Sequence, residues 1–369
     1  MAAACLFHTL LNTMSGGPSS SQHQGTRALE VRLLAEDLEG WDAYVLRHQS
    51  SCGYHQTGWK TVIEQSFGHS TRYLQAIERG RIVGILPLVV MKSLLFGRFV
   101  VSLPYFNYGG IVADHRDAEE ALLDTARDLA IKEAVTHLEL RHGAPHGLGL
   151  IPKQHKVTML LPLESDVESQ WRAFDPKLRN QVRKAEKSGV WIQLGGQELL
   201  DSFYRIFARN MRDLGTPVYG KEFFEAILRN FPSSTKIFVG RLQGQPLAAG
   251  LITTFKDTVE MPWAASRCEY RHLCGNMLMY WEAIKFSIKQ GSKQFDFGRS
   301  TPGGGTFKFK EQWGARPVPL TWEYWTAHPG QLPDLSPRNP KYQLPIRIWK
   351  RLPVTVANRF GPLIARAIP

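Results

Sequence analysis

No stretch of about 18 uncharged apolar residues occurs anywhere in the 369 residues, so no segment has the length that a membrane-spanning helix needs. The longest apolar run, residues 82–91, has only the length of a strand and contains Gly84 and Pro87. Cysteine is scarce: Cys5, Cys52, Cys268 and Cys274 form no C-x-x-C pair and no Cys/His spacing of a zinc site. Four scattered thiols in a chain this long read as reduced cysteines of a cytoplasmic protein and argue against a structural metal. The histidines are equally dispersed. His142 and His146 stand four apart, but Gly143 and Pro145 prevent the helix that would align them. There is no Gly-x-Ser-x-Gly elbow and no catalytic-cysteine signature, so nothing points to a covalent enzyme intermediate. Charged residues make up 21%, too few for a disordered chain, and 43% hydrophobic residues suffice for ordinary cores.

Acidic residues are lacking in one region above all. The net charge of +12 is distributed as −2 over residues 27–150, +8 over residues 151–330 and +6 over residues 331–369. The basic surplus of the later segments suits an anionic partner, or is simply a basic surface. Residues 1–26 carry no Lys or Arg ahead of their short apolar run, so they lack the basic start of a secretory signal and read as a disordered leader. Translation starting at Met14 would be consistent with this.

What is present is a repeated pattern. In residues 72–141 an alternating strand leads through Gly80 into a long apolar strand and a further short strand. A helix with Leu122, Leu123, Ala126 and Leu129 on one face follows, and then the strand His137-Leu138-Glu139-Leu140-Arg141. Residues 235–298 repeat the order, with the turn at Gly244, a helix carrying Leu278, Trp281, Ile284 and Ile288, and the closing strand Gln294-Phe295-Asp296-Phe297. From turn glycine to closing acid is 59 residues in one unit (80 to 139) and 52 in the other (244 to 296). Each unit is preceded by a strand and helices: residues 29–34 and two helices in the first, residues 157–161 and several helices in the second. The spacing predicts an α/β fold with mixed, mostly antiparallel sheets. The organisation expected is a leader (1–26), a first domain (27–150), a second domain bearing the ligand groove (151–330), and a Pro-rich linker with a basic amphipathic tail (331–369).

Four groups of residues could carry chemistry. Asp175, Pro176 and Gly189 delimit a helix whose seam is Leu178, Val182 and Ala185 and whose faces carry Lys177, Arg179, Arg183 and Lys184. Like charges so spaced repel by roughly 0.2–0.5 kcal/mol per pair, which a phosphate-bearing ligand would offset; a solvated basic face is the alternative. Asp296 ends a strand before Gly298, Arg299, Ser300 and the Gly303-Gly304-Gly305 loop. It is placed to accept a proton from an attacking amine, with Arg299 and Ser300 as substrate contacts, unless Asp296 merely pairs with Arg299. Lys308 and Lys310, read as a strand, face one way and suit a phosphate or a developing oxyanion, while Phe307, Phe309 and Trp313 pack inward; a lysine-guarded edge is the other reading. Tyr105, Asn107 and Tyr108, ahead of Gly109-Gly110, could read a polar substrate, or form a plain turn.

The strand, helices, meander, helix and strand of each unit are similar to the GNAT acyltransferase layout. The stretch Phe295-Asp296-Phe297-Gly298-Arg299-Ser300-Thr301-Pro302, running on to Gly305-Thr306-Phe307-Lys308-Phe309-Lys310-Glu311-Gln312-Trp313-Gly314, resembles the FemAB-like family of tandem GNAT-fold transferases. So do Asp175-Pro176-Lys177-Leu178-Arg179-Asn180 and Tyr280-Trp281-Glu282. The nearest likeness is to the FemAB-related proteins associated with the PEP-CTERM/exosortase system. The resemblance implies two tandem GNAT-like domains and a cytoplasmic N-acyl or aminoacyl transferase. The acceptor implied is an amine of an envelope or exopolysaccharide-related precursor. Acyl-CoA or aminoacyl-tRNA would be the donor, and no cofactor would be tightly bound. The GNAT pyrophosphate loop corresponds to Arg271-His272-Leu273-Cys274-Gly275-Asn276, with one glycine where the pattern wants two, which fits an aminoacyl-tRNA donor better than acetyl-CoA. A degenerate donor loop also keeps a non-catalytic binding or scaffold role open.

The tail sets Arg347, Lys350, Arg351, Arg359 and Arg366 among Ile348, Trp349, Leu352, Phe360 and Leu363, with Pro353 and Pro362 expected to break it into short helices. Such a segment either lies on the inner face of an anionic membrane or packs back on the domains.

Overall fold

The computed structural model describes residues 29–93, 97–327 and 340–368. The expected leader, and the proline-marked linker up to residue 339, lie outside them.

The first unit runs β1 (Glu30–Leu33), α1 (Leu38–Arg47), α2 (Gly58–Phe67), β2 (Ser70–Glu78), β3 (Arg81–Ser93), β4 (Gly97–Val101), β5 (Val112–Ala113), α3 (Arg116–Lys132) and β6 (His137–His142). Next come β7 (Ile151–Pro162), α4 (Val167–Ala173), α5 (Pro176–Lys187), β8 (Trp191–Gly195), α6 (Leu200–Leu214), α7 (Lys221–Asn230), β9 (Thr235–Leu242), β10 (Gln245–Phe255) and β11 (Thr258–Ser266). The chain continues through α8 (Gly275–Lys289), β12 (Gln294–Ser300), α9 (Gly305–Glu311), β13 (Arg316–Thr326), α10 (Pro340–Trp349) and α11 (Val354–Ala365).

The repeat is visible down to its turns. β2 and β3 are joined by Arg79-Gly80, and β9 and β10 by Gln243-Gly244. All four residues have positive φ (51°, 74°, 48° and 80°), as a two-residue hairpin turn of primed type requires. In the first unit β1 to β4 form an antiparallel meander, with β6 parallel to β4. In the second, β8 to β11 form the same meander, with β12 parallel to β11. The counterpart of β1 is therefore β8, not residues 157–161, which lie in β7. That strand has a different task. β13 inserts between β6 and β7, and β7 pairs with β12, so both units share one sheet, thirteen-stranded among the described residues.

Alternation along the strands assigns the two faces. On one, α3 packs through Leu122, Ala126 and Ala130, and α5 and α8 pack through Leu178, Val182, Leu278 and Ile284. On the other, α2, α6 and α7 close over a core drawn from both units, in which Trp59 and Phe106 of the first share one cluster with Phe223, Phe224 and Trp263 of the second. α5 starts where its cap residues predict, with the Asp175 carboxylate accepting from the Lys177 N–H at 2.7 Å.

The tail packs back. Ala357, Gly361 and Ala365 form the buried stripe of α11, and a Cβ on Gly361 would lie 3.0 Å from Val218. Beyond α11, the Arg366 carbonyl accepts from the Tyr105 hydroxyl at 2.9 Å, and His69 Nε2 lies 2.9 Å from the same oxygen. Pro353 ends the turn before α11 as expected, but Pro362 sits inside the helix and does not break it. Leu344, Ile348, Phe360 and Leu363 face outward.

Candidate active site

β11 and β12 run side by side only where residues 258–260 face residues 294–296, and then part. Two local features open this fork. Pro262 has no N–H to continue a ladder, and the register of β12 against β7 shifts between Asp296 and Arg299, where Gly298 takes φ +73°. In the first unit the matching fork, beyond Val101 and Glu139, is filled by the chain itself. Ser102 N–H donates to the Glu139 carbonyl at 2.8 Å, and Gly110 N–H to the Arg141 carbonyl at 3.0 Å. A side chain on Gly110 would overlap the His142 ring, at 2.0 Å, so glycine lets this loop lie flat on β6. The filling loop carries Asn107 and Tyr108 to the open fork of the second unit.

Asp296 stands at the base of that fork, 3% exposed. Its Oδ1 accepts from the Thr158 hydroxyl at 2.5 Å and from the Gly298 N–H at 2.7 Å, and its Oδ2 from the Tyr108 hydroxyl at 2.9 Å. Glu260 is its register partner on β11, also buried, and meets Asn107 Nδ2 at 3.3 Å. The Tyr54 hydroxyl lies beside Glu260 without a well-formed hydrogen bond. Lys310, buried on α9, donates from Nζ to the carbonyls of Gly298 (2.8 Å) and Arg299 (3.0 Å), which pins the bulge.

Burial, then the neighbouring Asp296, raises the Glu260 pKa to about 8. Burial also raises that of Asp296, opposed by Thr158, Gly298, Tyr108 and Lys310. Burial lowers the Lys310 pKa to about 8 against the pull of both carboxylates. Buried carboxyls at paired register positions oppose each other's ionisation. Three donors stabilise the charge on Asp296 and one long contact serves Glu260, so the proton resides on Glu260. A cavity of about 500 Å³, enclosed by Tyr54, His55, Tyr108, Phe255 and Lys256, reaches both carboxyls. This is an ordinary size for a small-ligand site.

Asp296, Lys310, Asn107 and Tyr108, which the sequence offers as separate candidates, meet at this fork. Arg299 is solvent-exposed on the same face, and Ser300 is buried at the end of β12, its hydroxyl without a partner among the described residues. Four readings change, one of them the alternative in which Asp296 pairs with Arg299. Lys308 and Lys310 lie on a helix, not a strand, so they do not share a face: Lys308 is exposed and Lys310 buried. Asp296 pairs with neither Arg299 nor any other cation in a direct ion pair among the described residues. Tyr105 turns away, with its hydroxyl on the Arg366 carbonyl. The basic helix, with Lys177, Arg179, Arg183 and Lys184, packs beside α8 on the face to which Phe295 and Phe297 point, opposite Asp296. Arg183 there lies over the Trp171 ring, 5.4 Å from its centre. Glu260 and Thr158 are the site residues that sequence reasoning missed. The signal for Glu260 was an acid inside the otherwise apolar Val259-Glu260-Met261-Pro262-Trp263.

Residues 172–311 match the family model described as an acetyltransferase (GNAT) domain. No curated protein matches the chain in sequence. Among solved structures, FemX superposes with a TM-score of 0.63 at 16% identity, covering 79% of this chain and 96% of its own. The C-terminal domain of a putative lysylphosphatidylglycerol synthetase from Agrobacterium fabrum gives 0.54 at 12%, covering 79% and 92%. A tandem GNAT protein from the clavulanic acid biosynthesis pathway gives 0.51 at 13%, covering 82% and 100%. At such identities the likeness is one of fold. The chain has a GNAT-like α/β fold with a mixed sheet.

Proposed function

We propose that the protein transfers an acyl group to an amine at the fork between β11 and β12, with Asp296 as general base. The observation that carries this reading is the position of Asp296, a buried carboxylate with a raised pKa, held by three donors where the strands part. As the amine nitrogen bonds to the acyl carbon, its proton passes to Asp296 and then to the departing group as the thioester or ester bond breaks. Lys310 commits two of its donors to Gly298 and Arg299 and has one left for the carbonyl oxygen or the carboxylates. An acyl-CoA is the donor favoured by the acetyltransferase match over residues 172–311. An aminoacyl-tRNA is the donor that the FemAB-like motifs imply. The acceptor in this reading is an amine of an envelope or exopolysaccharide-related precursor, worked on in the cytoplasm.

The test is thiol release from acetyl-CoA by the purified chain with a panel of amino sugars and short peptides, beside Asp296→Asn. A positioned base contributes about 10²–10⁴-fold, so the variant is expected to fold normally and lose that much turnover. No acceptor-dependent release with any donor, or an Asn variant that keeps its rate but melts lower, would make Asp296 a structural residue.

A further inference from the structure

Next to Asp296, on the same face of the sheet, two arginines meet one indole. Trp322 on β13 is the direct cross-strand neighbour of Arg141 on β6, and Tyr324 of Glu139. The Arg141 guanidinium lies 4.2 Å from the centre of the Trp322 ring, and that of Arg299 lies 5.2 Å from it. The strand order places β6 on one side of β13 and β12 on the other, beyond β7, so the two cations reach Trp322 from opposite neighbours. The indole is fixed in place: its N–H donates to the Asn107 carbonyl at 3.3 Å.

The charges here do not cancel. Arg141 is 1% exposed, donating through Nε to Glu139 at 2.7 Å and through Nη1 to the Phe106 carbonyl at 2.6 Å. Its Nη2 is buried with no partner among the described residues. The Arg299 side chain is exposed, and no hydrogen bond or ion pair of its guanidinium occurs among the described residues. Glu139 is the carboxylate beside them, and it is already shared between Arg141 and the Tyr324 hydroxyl, at 2.9 Å. Tyr105, Tyr219, Tyr324 and His155 also face the pair, with Lys310 beyond, and the next carboxylate along the face, Asp296, is already held by Thr158, Gly298 and Tyr108. His155 is held near 4 by its surroundings and by Lys153, Lys156 and Arg299. A buried guanidinium nitrogen without an acceptor is costly, and two like charges over one ring repel. An oxyanion would relieve both.

We infer that Arg299 and Arg141, over the Trp322 floor, form a binding site for an anionic group of the substrate, a carboxylate or a phosphate. Tyr108 sets its distance from the reaction. This side chain packs against Leu320, Trp322 and Tyr324 while its hydroxyl donates to Asp296, so the anion sits about one side chain from the base. Resting on the transferase reading above, this makes the reacting substrate an acidic molecule. Guanidinium forks suit both oxyanions.

The experiment is calorimetric titration of the full chain at fixed ionic strength with inorganic pyrophosphate and, separately, with glutarate. It is repeated on Arg299→Gln and Arg299→Lys, because exposed Arg299 can be changed without unseating a core residue, whereas Arg141 holds Glu139 and Phe106. One probe is expected to bind with one-to-one saturation. Gln should weaken it by about tenfold or more, and Lys should restore part, having charge without the fork. Pyrophosphate as the binder assigns a phosphate, and glutarate a carboxylate. Failure of both probes to bind the parent better than Arg299→Gln overturns the inference. Binding needs no turnover, so a chain that binds the anion yet transfers nothing loses the transferase reading alone.

Discussion

Glu260 sits between apolar neighbours, Val259 and Met261, with its pKa near 8 because its charge would be buried beside that of Asp296. In the unfolded chain it titrates near its ordinary 4.5. The folded state therefore holds a proton that the unfolded state has lost across that interval. The contribution of Glu260 is fully favourable below pH 4.5 and is lost as pH rises through about 8. Glu260→Gln removes this dependence, so the melting temperature of the variant relative to the parent should climb by several degrees between pH 5 and pH 9 and then level off. A flat difference would put the shared proton elsewhere. Lys310→Met removes the cation facing Asp296, so that carboxyl, the base of the proposed reaction, becomes harder to ionise. The acid limb of the kcat/KM profile should then move to higher pH, and an unmoved limb would confine Lys310 to pinning the bulge. Of these residues, Asp296 stood out in the sequence because it reads as an acid closing an apolar strand before a glycine loop, although β12 runs on to Ser300. Glu260 did not, since an acid at an alternating position reads equally well as the solvent side of a strand. The same ambiguity hides Glu139 and Arg141, which are both buried.

At the level of elements, the alternation Phe307-Lys308-Phe309-Lys310 imitates a strand. What decides for a helix is tertiary packing: Phe309 and Trp313 close on Tyr280, with ring centres 5.1 and 6.0 Å away, and the buried ammonium finds two carbonyls. α5 was readable to its cap because Asp, Pro and Gly act locally; the face of the sheet it would occupy was not, because that depends on which side of β12 the aromatics take. α11 likewise shows its packing only in the fold, where small residues rather than its large ones face Val218. Tyr105 joins this element to the first unit through the Arg366 carbonyl. Tyr105→Phe should lower the denaturant midpoint by the equivalent of about 1 kcal/mol while leaving turnover intact. Loss of turnover with unchanged stability would return Tyr105 to the substrate.

At the scale of the molecule, the doubling of the unit could be read from strand order and glycine spacing, since hairpin turns and amphipathic helices are local. The join could not, because it depends on β13 pairing with β6, whose residue His142 faces Thr321 across a long sequence separation. The shared core under α2, α6 and α7 has the same non-local origin. Residues 27–150 and 151–330 made as separate chains are therefore expected to unfold without cooperativity, and to regain it when mixed or co-expressed. A sharp, independent melt of either piece would show that the sheet is divisible. The join also sets a clock on biosynthesis. β6 leaves the ribosome roughly 180 residues before the strand that covers its edge, which at about 5–20 residues per second is on the order of 10–40 s. Through that interval the nascent chain presents an open strand edge, a template for unwanted pairing, so yield in the cell should depend on translation speed and chaperone supply around residues 142–326 more than on final stability.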